Sequence, residues 1–178
     1  VCSSDLIIWE GRPDDPYSNI MDSFEIVREV KKEFSDVRMA VYGKPADGSY
    51  MEKVQEEVRY QNLTDAVIYI TDRDELAGYA SQASLILQTS SCPDFHMPFT
   101  DALSFGLPVV SYELPGCKYL SDRKTAICVP SRDRLAAIGA VSSILRYPEI
   151  KYYLGENVCS AYDHADKDDF LQALKNFC

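Results

Sequence analysis

The sequence predicts an α/β domain built on a parallel sheet that is covered by helices on both faces. Short β-branched runs alternate with longer stretches of helical periodicity, and the runs are almost continuously apolar, as in Leu6-Ile7-Ile8-Trp9 and Leu85-Ile86-Leu87-Gln88. Strands buried on both faces read this way, and alternation of this kind is the mark of crossover helices. At 178 residues the chain is long enough for one substantial core.

Each element has its own warrant. The first strand is residues 6–9, and after it Tyr17, Ile20, Met21, Phe24, Val27, Val30 and Phe34 recur at three- and four-residue steps. That spacing puts them on one face of a helix, with Glu25, Arg28, Glu29, Lys31 and Lys32 toward water. Strands follow at 37–42, 66–70, 85–88, 108–112 and 126–129, and helices at 51–60, 74–83, 99–105 and 134–145. After Ser131 the chain is expected to be helical to its end, with Asp133, Pro148 and Asp166 or Asp168 as helix starts. The result is a Rossmann-like, three-layer sandwich with a six-stranded parallel sheet, and residues 1–178 are read as a single domain.

Composition narrows the partners. With 28 acidic against 18 basic side chains, the net charge of -10 repels a phosphate backbone, so nucleic acid is not expected. An anionic ligand must instead be held locally, by one or two cations and by backbone N–H groups at a helix start. No apolar run approaches the ~20 residues that span a bilayer, and no signal peptide opens the chain. The sequence begins at Val1 and enters almost at once on a strand, so it is read as a fragment with a cytoplasmic location. Cys2, Cys92, Cys117, Cys128, Cys159 and Cys178 show no metal-ligand or redox-loop spacing and are read as reduced thiols. No metal and no cofactor is expected.

In a doubly wound sheet the ligand sits outside the carboxyl ends of the strands. Here those ends are Gly11-Arg12, Gly43-Lys44, Thr71-Asp72, Thr89-Ser90 with the loop to Pro98, and residues 113–117. Residues 90–110 read as strand end, loop, helix, glycine cap and next strand. Unpaired N–H groups near His96, Met97 and Phe99 suit a phosphate, and Pro98 is pre-set for the first turn. Asp101, one turn in, is either an acceptor for a ribose diol or a solvent-facing helical carboxylate.

The order of these pieces resembles the retaining GT-B glycosyltransferases of glycosyltransferase family 4, in their C-terminal domain. Gly11-Arg12, Gly43, Asp74-Glu75-Leu76, Phe95, Pro98, Asp101-Ala102, Gly106-Leu107-Pro108-Val109 and residues 125–130 follow the family's order over nearly the whole chain. The resemblance implies that Arg12, beside Gly11, grips the donor diphosphate, a task that suits a guanidinium fork. It gives Asp101 the ribose, with one methylene less than the family's glutamate. The family's first acidic residue falls on Pro93, with Asp94 adjacent to replace it, and its lysine falls on Ser18, with Lys44 placed to restore the charge. The family's glycine after phenylalanine becomes His96, which either bonds a phosphate or sugar hydroxyl or fills the loop, and a later glutamate aligns with Lys118. The wall for the base is residues 69–72, with Thr71 as a contact.

The implied activity is transfer of a hexose from a nucleotide diphosphate sugar with retention, as in bacterial polysaccharide or surface-glycan assembly. A glycan or lipid-linked acceptor would be bound by an absent N-terminal domain, and the full-length protein would be compatible with peripheral membrane association. Arg12, Asp94 and Lys44 are the candidate catalytic residues, and Gly11, Thr71, His96, Met97, Pro98, Phe99 and Asp101 the candidate substrate contacts. Two other readings stay open: a non-catalytic scaffold of the same shape, and another nucleotide-sugar enzyme such as an epimerase. The Gly-x-Gly-x-x-Gly loop of a dinucleotide oxidoreductase is absent after the first strand.

Overall fold

A computed structural model describes residues 5–45, 48–91, 101, 104–114 and 124–163. The chain runs β1 (Leu6–Glu10), a 3-10 turn (Pro16–Ser18), α1 (Ile20–Val30), β2 (Arg38–Tyr42), α2 (Gly48–Tyr60), β3 (Val67–Ile70) and α3 (Arg73–Ala80). It continues through β4 (Ala83–Gln88), β5 (Val109–Tyr112), β6 (Ala126–Val129), α4 (Arg134–Arg146) and α5 (Pro148–Asp163). The six strands form one sheet in the order β3-β2-β1-β4-β5-β6, and every pairing is parallel. The expected three-layer Rossmann-like architecture is therefore the observed one. Strand order reverses between β1 and β4, which makes their carboxyl ends the switch point where such sheets take ligands.

Alternation along β1 divides the core. Ile7 and Trp9 face α1, α2, α4 and α5, joining Phe24, Val27, Val58, Val141 and Leu154. Leu6 and Ile8 face the opposite layer, with Leu76 and Ala80 of α3 and Leu107. Both faces of the strand are sealed: Leu6, Ile7, Ile8 and Trp9 are each no more than 1% exposed. Two helices, α3 and α4, start where a short polar side chain caps them. Asp72 accepts from the backbone N–H groups of Asp74 and Glu75, and Asp133 from that of Ala136. Asp133 and Pro148 open α4 and α5 as expected, whereas Asp166 and Asp168 lie outside the described residues.

Three local readings are corrected. Tyr17 does not join the apolar face of the first helix: it is 65% exposed on the 3-10 turn, and α1 begins only at Ile20. Pro16 and the Asp15 side chain, which accepts from the Tyr17 N–H, favour the tighter turn, and Asn19 then takes a left-handed conformation at φ 49. The third helix stops at Ala80, so Ala83 begins β4 instead of ending a helix. Cys128 on β6 is disulfide-bonded, against the expectation of reduced thiols. Short-range spacing tests for metal and redox loops and is blind to a long-range pair. Of the helix expected at 99–105, Asp101, Ser104 and Phe105 are helical and the others lie outside the described residues. Among the described residues, no helix is long and apolar enough to cross a membrane.

Candidate functional site

The carboxyl edge of the sheet begins with two glycines that touch. A side chain at Gly43 would place its Cβ 1.8 Å from the Gly11 carbonyl oxygen, and Gly43 has φ +153. A Cβ at Gly11 would meet the Trp9 ring at 2.9 Å. The Gly11 N–H donates to the Tyr42 carbonyl at 3.0 Å, and that of Gly43 to the Ile70 carbonyl at 3.1 Å, so the strand ends stay paired one residue past the sheet. Glycine is needed here for close backbone approach. The residues that follow are Arg12 and Lys44, so two cations hang from neighbouring strand ends. Arg12 is 60% exposed and 3.3 Å from Asp14, which is itself buried. Lys44 is exposed, as is Thr71 at the end of β3.

The switch point is held by a polar lattice. Trp9 Nε1 donates to Thr89 Oγ1 at 2.9 Å, and that hydroxyl donates to the Ser18 carbonyl at 2.9 Å. The Asn19 amide donates to the Thr89 carbonyl and to Ser91 Oγ, while the Ser91 N–H donates to the Tyr17 carbonyl. The turn after β1 is thus fastened to the chain leaving β4, just where the expected phosphate loop begins. Ser18, the position where the resemblance has a lysine, is buried at 3% exposure, and its hydroxyl has no hydrogen-bond partner among the described residues.

Beside this lattice lies a carboxyl pair. Glu10, the last residue of β1, is 5% exposed, and Asp101 is 1% exposed. The two carboxyl groups lie close enough for the Asp101 charge to act on Glu10, and Glu10 Oε2 and Asp101 Oδ2 meet no donor among the described residues. Two buried carboxyl groups so close resist being charged together, so one of them holds a proton. Burial, and then the Asp101 charge, push the Glu10 carboxyl up to about 8, so Glu10 holds that proton at neutral pH. Arg73, the first residue of α3, donates to Asp101 Oδ1 at 2.7 Å, and its side chain remains 57% exposed. The Asp101 contact raises the basicity of the guanidinium further.

A second buried carboxylate, Asp22 on α1, accepts from the Tyr112 hydroxyl at 3.0 Å and lies 3.5 Å from Arg134 and 3.9 Å from Arg132. Burial, and then the Asp22 charge, raise the Tyr112 phenol. This cluster ties the starts of α1 and α4 to the end of β5. Among the described residues, no group of three His, Cys, Asp or Glu side chains is arranged to hold a metal.

Of the residues expected from sequence, Gly11, Arg12, Lys44 and Thr71 lie along one edge, at the ends of the adjacent strands β1, β2 and β3. Asp101 does not face solvent: it is buried beneath Arg73. Asp94, His96, Met97, Pro98 and Phe99, with Pro93, Phe95 and Lys118, lie outside the described residues. Sequence reading passed over Glu10 and Arg73. A carboxylate closing the run Leu-Ile-Ile-Trp-Glu was the available signal, because a charge on a strand buried on both faces needs a partner.

Residues 4–146 match the model of the glycosyl transferases group 1 family. The chain belongs to that family. As a group 1 chain it is 29% identical over 159 residues to trehalose synthase from Pyrococcus horikoshii, a match covering 84% of this chain and 37% of that protein. Solved structures share the fold at lower identity. A complex of S. aureus TarM with UDP superposes with a TM-score of 0.81 at 14% identity, over 98% of this chain and 35% of TarM. Anabaena HepE in complex with UDP superposes at 0.81 and 12% identity, over 97% of this chain and 49% of HepE. The chain thus spans less than half the length of each of these relatives.

Proposed function

We propose that this chain is the donor-binding domain of a retaining hexosyltransferase of glycosyltransferase family 4, taking its sugar from a nucleotide diphosphate. One observation carries the reading. In a chain of net charge -10, Arg12 and Lys44 stand on neighbouring strand ends, beside glycines whose backbones abut, at the edge where doubly wound sheets bind nucleotides. Cations there stabilise negative charge as it builds on the departing diphosphate. Arg12 supplies the fork and Lys44 a point charge. The resemblance assigns further donor contacts to Asp94, His96, Met97, Pro98 and Phe99, outside the described residues; residues 69–72 are assigned to the base, and Asp101 lies beneath the ribose. The acceptor, a glycan or a lipid-linked glycan, is assigned to another domain of the full-length protein, so this chain alone does not turn over substrate. HepE, a structural relative, was solved with UDP and with UDP-glucose, which supports a sugar nucleotide here.

A second reading is a non-catalytic scaffold of the same fold, favoured by the burial of Asp101 and its engagement by Arg73. Titration calorimetry with UDP, GDP and ADP separates the two. The donor-site reading expects heat with one of them, and a larger loss of affinity in Arg12→Ala than in Asp101→Asn. Absence of heat with all three supports the scaffold.

A further inference from the structure

Asp101 cannot meet a ligand as it stands. Its Oδ1 is taken by Arg73, its Oδ2 is buried, and its charge acts on Glu10. An aspartate reaches less far from its helix than a glutamate, and here it is held back against a second carboxyl group at the end of β1. What reaches the edge is the guanidinium. Arg73 is 57% exposed, and among the described residues it makes no hydrogen bond except that to Asp101, which leaves four of its five N–H groups for a ligand.

We propose that the Glu10–Asp101 pair presents Arg73 to the donor, so that this guanidinium, and not the Asp101 carboxylate, meets the ribose hydroxyls of the bound nucleoside diphosphate. The proposal rests on the donor-site reading above and refines its specificity. The three groups are electrically balanced when they share one proton: one carboxylate charge, one neutral acid and one guanidinium. Arg73 is then fixed by one bond on one side and open on the other. Loss of the proton leaves a second buried negative charge for which Arg73 is the cation at hand among the described residues. Arg73 is drawn inward, toward both carboxylates. The groups facing Glu10 among the described residues come from four elements. Asp101 approaches from its helix and Arg73 from α3, β2 contributes its register neighbour Tyr42, and β4 offers the neutral amide of Gln88, which donates to the Glu10 carbonyl.

The test is calorimetric titration of UDP into the wild-type chain and into Arg73→Ala, Arg73→Lys and Glu10→Gln, from pH 6.5 to 9. Loss of one charge-assisted contact weakens UDP about tenfold or more in Arg73→Ala. Arg73→Lys, which keeps a charge beside Asp101 but not the fork, recovers only part of that loss. Wild-type affinity falls about tenfold between pH 7 and 9 as the Glu10 proton is lost. The Glu10→Gln profile lacks that extra fall, and taking the difference between the two profiles removes UDP's own titration. Binding of UDP by Arg73→Ala as tight as wild type, or tighter, overturns the proposal and makes Arg73 a cover over Asp101. A level wild-type profile overturns the role given to the shared proton. If wild type binds no UDP at pH 6.5 to 7, the donor-site reading for this nucleotide falls, and the proposal with it.

Discussion

Replacing Glu10 by glutamine should make the protein more stable, and by an amount that grows with pH. The folded chain keeps a proton on Glu10 up to about pH 8, whereas the unfolded chain releases it near 4.5. Between those values the folded state binds more protons, so stability falls by about 1.4 kcal/mol for each pH unit gained. The contribution is fully present below 4.5 and is lost as pH rises toward 8. By pH 7 the loss amounts to about 3 kcal/mol as an upper figure. Glutamine has no proton to lose, and its amide can donate to Asp101 Oδ2 as the protonated acid does. For a domain of this size a gain of 2–3 kcal/mol reads as a Tm roughly 5–10 °C higher. Thermal melts of both proteins at half-unit steps from pH 5 to 8.5 measure the difference directly, and pH effects common to the two cancel. Equal Tm values across that range, or a gap that narrows as pH rises, would refute the shared proton. A Glu10→Leu control should be destabilised, because it leaves Asp101 Oδ2 buried without a donor.

Other expectations follow from single contacts. Gly43→Ala drives a methyl group into the Gly11 carbonyl and should cost several kcal/mol, on the order of the larger single-site losses, in urea denaturation. An unchanged midpoint would mean that the strand ends do not abut. Thr89→Val removes the hydroxyl that links Trp9 Nε1 to the Ser18 carbonyl and should cost about 1–3 kcal/mol. Trp9 is the one tryptophan of the chain, so the same variant should shift its fluorescence emission, and an unshifted spectrum would count against the relay.

The fold was legible because its signals are physical and local. Unbroken apolar runs marked strands buried on both faces, and Asp133 and Pro148 marked helix starts through capping and a fixed φ. Boundaries slipped where local turn chemistry overrode periodicity, as at Pro16, where a 3-10 turn carries Tyr17 into solvent. The place of Gly11, Arg12, Lys44 and Thr71 at strand ends was readable because the strands before them were. The Glu10–Asp101–Arg73 group was not. Its members lie on three elements far apart in sequence, and only tertiary packing reveals that a helix carboxylate is turned inward onto a strand carboxyl group. The Cys128 disulfide escaped for the same reason.

The most direct measurement is a map of amide chemical-shift changes when UDP is titrated into the isotope-labelled chain. Donor binding at the carboxyl edge concentrates the changes at residues 10–12, 43–44, 71–73 and 89–91, around the ends of β1 to β4. Saturable changes confined to the opposite edge of the sheet, or none at millimolar UDP, would contradict it.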